Sequence, residues 1–590
     1  TQLAATYFDR GLASLAKQVD SSFTYMSERQ RLQFLGTEPG AFPLLFSFAV
    51  ANAERDPALA GKAYDALLWE KGLIASNSAA LRAKILDSGD GQAVDLFDKL
   101  TAKRAQLAEL ASAPSGDADW RRNMAQLDQE SNAIETDLAK RSAALADVKA
   151  LARITWHDVQ KALKPDEAAV EYVRFPVHNG VRWIHAEAYA AVVLTPSAAP
   201  RMLLLGNAQK LEADPVAAYR AEVARSRGVS AAPAARPDAG SGTGAAYAAF
   251  WKPLEVALGG ARRVYIAADG ILNQVPIGLF SDPAGKLLLE KYDLRLVNST
   301  KDLLRTQRGG GGKTAVIMGN PAFDLSETAQ REAVSKLNAG AAISRGAASA
   351  QASPGSRGDE RGAALPPLPA TEAEAQAVAF SLKNAGWDVS LYTGSMALKE
   401  VLGRLRSPRV VHLATHGFFL PNPVAAVQPA TGAQRVAQPS GQAAVRDPML
   451  RSGLFFAGAD RVRAGEPPAA GLEDGVLTAY EATQLHLQGT ELVVLSACET
   501  GLGQQANGEG VFGLRRGLQE AGAQSVLMSM WPVPDQETQE LMTLFYRQWL
   551  GGLDAHEALR QAQLKERDTV RQRYGRDLPY YWGAFVLVGR

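Results

Sequence analysis

Hydrophobic and polar positions along the chain follow two periods, and the change falls near Pro165. Before it the spacing is helical. The stretch from about Leu96 to Ala111 is rich in strong helix formers. The turn APSGD follows, with Asp117 placed to cap the next helix. There Trp120, Met124, Leu127, Ser131, Ile134, Leu138, Arg141, Leu145 and Val148 alternate spacings of four and three, a heptad seam interrupted at Ser131 and Arg141. The pattern predicts a long antiparallel helical hairpin within an all-helical region over residues 1–165; a plain helix packed on the next domain satisfies the same spacing. After Pro165 short β-rich runs take over: AAVEYVRF, YAAVVLT, MLLLG, RRVYIAA, TAVIMG, WDVSLY, RVVHLAT, ELVVLSA, QSVLMSM and GAFVLVG. Several are apolar throughout, as strands buried on both faces must be. Helical stretches such as Thr371–Ala385 and Gly510–Ala521 lie between them. Alternating strands and helices predict an α/β fold, a largely parallel sheet flanked by helices.

Three segments carry neither period. Ser226–Ala246, Leu337–Ala364 and Pro421–Arg446 are rich in Ala, Gly, Ser, Pro and Gln and read as mobile surface loops. The last follows directly on a candidate catalytic motif, which makes a processing or gating loop the sharper reading. Gln307–Thr314 (QRGGGGKT) ends like a phosphate-binding loop, but Gln307 stands where that motif needs Gly. A strand follows it where a helix is needed, so an interstrand loop accounts for the glycines.

Composition narrows the classes. The 590 residues leave room for several domains. Lys and Arg number 63 against 62 Asp and Glu, so a broad nucleic-acid or anionic-membrane face is not expected. No apolar run reaches the roughly 18–20 residues of a membrane span, and the charged opening TQLAATYFDRGLASLAKQ is not a secretory signal. With Cys498 as the single cysteine, internal disulfides, Cys-based zinc sites and iron–sulfur clusters are excluded. A reducing, cytoplasmic setting fits. The chain opens on Thr1 without a Met, which reads as a start inside a longer protein.

The single cysteine gains meaning from its setting. Two hydrophobic strands end on reactive side chains: Arg409-Val-Val-His-Leu-Ala-Thr-His416-Gly417 and Glu491-Leu-Val-Val-Leu-Ser-Ala-Cys498-Glu499. Ligands of parallel α/β sheets sit at the carboxyl ends of strands, so the two groups are expected to face each other. A thiol of pKa about 8.5 is mostly protonated at neutral pH and needs a base. His416 is the candidate base and Cys498 the nucleophile. The Gly417 and Cys498 amides are candidate oxyanion donors. His412, inside its strand, reads as a core residue or a support behind the site. A zinc site from His412, His416 and Cys498 lacks a fourth ligand, and no metal or cofactor is expected.

The motifs HLATHGFF and LSACETGLG, then GEGVFGLRRGLQEAGAQSVLMSMWPVPDQET and the closing YYWGAFVLVG, resemble the CHAT domain, a caspase-like family related to separases. VYIAADGILNQVPIGLF, GNPAF and LPPLPATEAEAQAVA extend the resemblance over about Val170–Arg590. It implies a caspase-like sheet, with a pseudo-protease-like part over 166–305 and a catalytic part over 306–590. It implies a Cys498–His416 cysteine endopeptidase, and tetratricopeptide repeats ahead of Thr1. It also implies a protein substrate in a bacterial regulatory, defence or cell-death system, gasdermin-like proteins among the options, and a regulatory or sensor partner reached through the N-terminal helices. By the same resemblance, Asp535 lines a pocket for Lys or Arg before the cut, beside Trp531. A helix-start role explains Asp535 equally well. Glu499 is a further pocket acid or an ion-pair partner. The competing class is a catalytically silent scaffold or adaptor, and a third reading is a redox-sensing thiol.

Overall fold

The computed structural model describes the chain except residues 1, 24, 38–39, 75–77, 79–81, 83–84, 86–88, 113–117, 145–153, 227–240, 306–311, 341–363, 420–447, 498–503 and 507–509. Cys498, Glu499, Asp117, Leu145, Val148, the Pro421–Arg446 loop and most of the other two loops therefore lie outside the described residues.

Ten expected strands, and one more, form a single eleven-stranded sheet. In chain order they are β1 (Glu167–His178), β2 (Trp183–Thr195), β3 (Ala198–Asn207), β4 (Arg263–Ala267), β5 (Asp293–Val297), β6 (Thr314–Pro321), β7 (Asp388–Gly394), β8 (Val410–Ala414), β12 (Leu492–Ser496), β15 (Ser525–Ser529) and β16 (Phe585–Gly589). Between them come the short strands β9 (Gly417–Phe419), β10 (Ser452–Phe455) and β11 (Val476–Thr478), which form a three-stranded sheet, and β13 (Gln504–Ala506) and β14 (Gly510–Phe512), which form a hairpin. Across the large sheet the order is β3-β2-β1-β4-β5-β16-β15-β12-β8-β6-β7. Only β2 against β1 and β3, and β16 against β15, run antiparallel, so the sheet is largely parallel.

Strand alternation sends successive side chains to opposite faces. In β12, Leu492 and Val494 join the helices Pro369–Asn384, Asp535–Leu550 and Ala555–Tyr574 through Val378, Phe545 and Leu559. Val493 and Leu495 point the other way, against Leu402, Leu514 and Leu518. In the β1–β5 part, Val170 and Ile266 pack with Phe250 and Trp251. On the opposite face Ala169, Val173 and Val192 meet Phe46, Tyr64 and Leu67 of the N-terminal helices Ala41–Asn52 and Ala58–Glu70. Those helices are thus a layer of the sheet domain. Lys71 drives the contact deeper: its Nζ lies 2.8 Å from Glu171 Oε2 and donates to Ala267 O at 2.9 Å, with both side chains buried.

The helical hairpin is present as Gly91–Ser112 and Ala118–Ala144, tied by Arg104–Glu135 and Lys103–Glu130 ion pairs. Ser131 is buried in the seam, while Arg141 reaches out to Asp90. Both readings of the heptads hold, since the hairpin also docks on the second half of the sheet domain. Leu107, Trp120 and Met124 pack on Leu450, and the Arg104 guanidinium sits 4.3 Å from the Tyr480 ring centre.

Three sequence expectations change. Residues 242–246 belong to a helix, Gly242–Phe250, rather than a loop: Ser241 Oγ accepts from Gly244 N, and Tyr247 and Phe250 are buried. At the next loop, Leu337 still belongs to the helix Glu327–Asn338. Gly510–Ala521 is not one helix. Gly510–Phe512 pairs with Gln504–Ala506, and the helix spans Leu514–Glu520. A β-branched and an aromatic residue between glycines favour the strand.

Candidate active site

β8 and β12 are neighbouring parallel strands in a register that pairs Ala414 with Ser496. His416 stands two residues beyond the first, and Cys498 stands two residues beyond the second in sequence. A cavity opens at these ends, lined by Thr415, His416, Ser496 and Ala497 of the two strand ends, by Ser529 at the end of β15 with Val533, Asp535 and Thr538 beyond it, and by Leu368, Thr371, Glu374 and Phe585. The sheet thus brings His416, the residue preceding Cys498, and Asp535 to one place. Among the described residues lining it, Gly417 and Trp531 do not appear. Gly417 opens β9 opposite Leu454. Trp531 donates Nε1–H to Tyr580 O at 2.9 Å and packs where three hydrophobic clusters meet.

The His416 ring is held on two sides. Its Nε2 lies 2.9 Å from Pro366 O, and the Phe323 ring centre is 5.2 Å away. A carbonyl only accepts, so this contact assigns the proton to Nε2, and in the neutral ring the basic lone pair then lies on Nδ1. Burial holds the imidazole pKa below its ordinary value, and the nearby Arg463 adds to this. The Pro366 bond and Asp460 pull the other way. The net result is a neutral ring able to accept a proton near pH 7.

The segment carrying Pro366 is itself anchored. Leu365 N donates to Asp460 Oδ1 at 3.0 Å and Leu368 N to Asn320 Oδ1 at 2.9 Å. Asn320 adopts a left-handed φ of 46°, which suits Asn, and its Nδ2 donates to Glu372 Oε2 at 3.0 Å. Gly319 lets the Pro369–Asn384 helix approach β6: a Cβ there would lie 2.5 Å from Thr371 O. Sequence reasoning had not singled out Pro366, Asn320 or Glu374, although GNPAF and LPPLPATEAEAQAVA contain all three.

Beneath the cavity lies a buried polar set. Glu374 Oε2 accepts from Ser496 Oγ at 3.0 Å. Its Oε1 lies 3.1 Å from His412 Nε2, off hydrogen-bond alignment, and His412 Nδ1 meets Tyr546 OH at 3.2 Å. His412 is fully buried, consistent with a support role. Asp535 is the first residue of the Asp535–Leu550 helix, with Pro534 at the cap position. Partial desolvation, then the Glu374 charge, raise its carboxyl pKa. Glu537 in the same turn is spoken for by Arg573 and Tyr574. Among the described residues no group of three His, Cys, Asp or Glu side chains is placed to hold a metal, and no helix is long and apolar enough to cross a membrane.

With its sheet and strand-end site in place, the chain belongs to the CHAT domain family, whose model matches residues 243–590. Tetratricopeptide repeat protein 28 of Homo sapiens is 30% identical over 234 residues, covering 38% of this chain and 8% of that protein; the Mus musculus protein is 30% identical over 229 residues, 38% and 9%. The chain thus matches under a tenth of the length of these relatives. Among solved structures, the Arg-specific cysteine proteinase gingipain R is similar at 9% identity and TM-score 0.30, over 56% of this chain and 63% of that one. The Saccharomyces cerevisiae separase–securin complex is similar at 9% and 0.38, over 80% and 33%. Likeness this distant assigns no residue and no activity.

Proposed function

We propose that the protein is a cysteine endopeptidase with Cys498 as nucleophile and His416 as general base. The observation that supports this reading is the register of β8 and β12, which pairs Ala414 with Ser496, each two residues in sequence before its reactive residue. In the reaction, His416 Nδ1 takes the thiol proton, and the sulfur attacks the scissile carbonyl carbon. The oxyanion is received by backbone amides, with Gly417 and Cys498 as the proposed donors. Collapse breaks the C–N bond, and the leaving amine takes the proton from Nδ1. Water then attacks the thioester, giving its proton to Nδ1, and the thiol leaves with that proton as the acid is released. A neutral imidazole whose Nε2–H is already engaged suits both transfers.

The cavity favours a cationic side chain before the cut. Asp535 and Glu374 both line it, and burial first, then the Glu374 charge, raises the Asp535 carboxyl pKa, a penalty that a Lys or Arg side chain would offset. From the family resemblance, the proposed substrate is a protein cut at few sites, in a regulatory setting.

Profiling of new amino termini tests this. Extract treated with wild type should gain cleavages preceded by Lys or Arg, absent with Cys498→Ala and His416→Ala. Asp535→Asn should weaken that preference. Identical profiles for wild type and Cys498→Ala would refute proteolysis; cleavage without basic enrichment would refute the pocket.

A further inference from the structure

The carbonyl that faces His416 belongs to a stiff piece of chain. Residues 365–369 read Leu-Pro-Pro-Leu-Pro. Each proline fixes its own φ and confines the residue before it. Pro366 and Pro367 have no N–H, so from Leu365 to Leu368 the only backbone donors are at the two ends. Side chains take both. Leu368 N–H goes to Asn320 Oδ1 at 2.9 Å, and Leu365 N–H is shared by the two Asp460 oxygens at 3.0 and 3.2 Å. A rod pinned at both ends presents the Pro366 carbonyl in one direction, 2.9 Å from His416 Nε2.

Asp460 has a second hold on the same ring. Its own N–H donates to Phe323 O at 3.0 Å, and the Phe323 ring lies beside the imidazole, 5.2 Å between centres. Five residues earlier, at the end of β10, Phe455 N–H donates to His416 O at 3.0 Å. The short stretch 455–460 thus fixes the histidine backbone, a neighbour of its ring and the acceptor for its proton. Asp460 itself does not line the cavity. We propose that Asp460 is a positioning residue for His416: its carboxylate holds the Leu365–Pro366 segment so that the Pro366 carbonyl keeps Nε2–H engaged. A rigid ring held at Nε2 and packed against Phe323 offers its Nδ1 lone pair along one line. A base aligned in advance avoids reorientation during proton transfer, and small misplacements of such a group are costly. The kinetic consequence rests on the proteolytic reading; the hold on the ring does not.

The imidazole proton reports this hold directly. Its exchange with water is read by NMR on the whole, isotope-labelled chain, and His416→Gln identifies the signal. His556 supplies an internal reference, since its Nε2 makes the same kind of bond to Gly589 O at 3.0 Å and is buried elsewhere in the fold. In Asp460→Ala the His416 proton should exchange about tenfold faster or more, with His556 within about twofold of wild type. Asp460→Asn keeps an acceptor for Leu365 N–H and should stay within about twofold at both. Hydrolysis of an acyl-arginine aminocoumarin amide should follow the same order. In Asp460→Ala kcat should fall about tenfold or more with KM within about twofold, and Asp460→Asn should retain most of kcat. Unchanged His416 exchange in Asp460→Ala would overturn the proposal. So would faster exchange at both histidines, which marks general loosening, or a kcat indifferent to the freed ring. If exchange separates Ala from Asn as expected while wild type shows no Cys498-dependent hydrolysis, the protease reading falls and the hold of Asp460 on His416 stands.

Discussion

Removing the Lys71 ammonium probes how the N-terminal helices are joined to the sheet. Lys71 stands just past the helix Ala58–Glu70 and enters the end of the β1–β4 pair. Its Nζ meets Glu171 Oε2 at 2.8 Å and Ala267 O at 2.9 Å, at 4% and 0% side-chain exposure for the two ionic partners. In Lys71→Met, Glu171 keeps the three donors on its other oxygen, Ser299 Oγ at 3.0 Å, Thr300 N at 2.6 Å and Thr300 Oγ1 at 2.7 Å. It loses its cation. Breaking a buried pair from one side costs about 3–5 kcal/mol, and the surviving bonds place this case near the lower figure, about 3 kcal/mol. The double variant Lys71→Met/Glu171→Gln removes the orphaned charge while keeping an acceptor for those donors. It should recover at least about half of the loss. Hydrogen exchange at β1 and β4 amides such as Val170 and Ile266 reads this locally, which matters in a chain too large for one all-or-none transition. A single variant within about 1 kcal/mol of wild type, or a double variant no better than the single, would refute the reasoning.

Two further outcomes follow. On the proposed mechanism His416 acts as a neutral base, so the acid limb of kcat/KM should lie below the ordinary histidine value, because burial lowers its pKa. Arg463→Gln should move that limb to higher pH by removing a repelling charge, and a limb that stays put would count against His416 as its source. Gly319→Ala would force a Cβ to 2.5 Å from Thr371 O and 2.8 Å from the Ala375 Cβ. It should cost about 1–3 kcal/mol by urea unfolding. Because the displaced helix carries Glu374 and Thr371 of the cavity, hydrolysis per alkylatable Cys498 should fall as well; a purely thermodynamic effect would leave that ratio unchanged.

The parts of the fold written in local pattern were the legible ones. All ten strands named from apolar runs are in the large sheet. The eleventh, β5, reads DLRLV, and its charged positions hid it: Asp293 pairs with both Arg263 and Arg295, a cross-strand network that no single run announces. The same holds at the site. His416 could be placed from its strand end, because a sheet with parallel neighbours collects such ends. Its orienting carbonyl could not. Pro366 reaches His416 through a folded-back segment fixed by Asn320 and Asp460, contacts that span 40 or more residues of chain and leave no spacing to read. Residues 242–246 were misjudged because a run of Gly and Ala looks like linker until Tyr247 and Phe250 find a core.

The position of β16 has a consequence for how the chain reaches this state. It alone joins β5 to β15, so it closes the seam of the eleven-stranded sheet. Leu296 of β5 must therefore wait for Val588, about 290 residues later in synthesis, before its ladder is complete. Until then β5 and β15 each present an unpaired edge, the kind of edge that recruits the wrong strand. Closing so long a loop adds little to the equilibrium cost, which grows only with the logarithm of its length, but it delays the event. The seam is thus a late step in assembly, and the interval before it closes is when a nascent chain most needs protection from its neighbours.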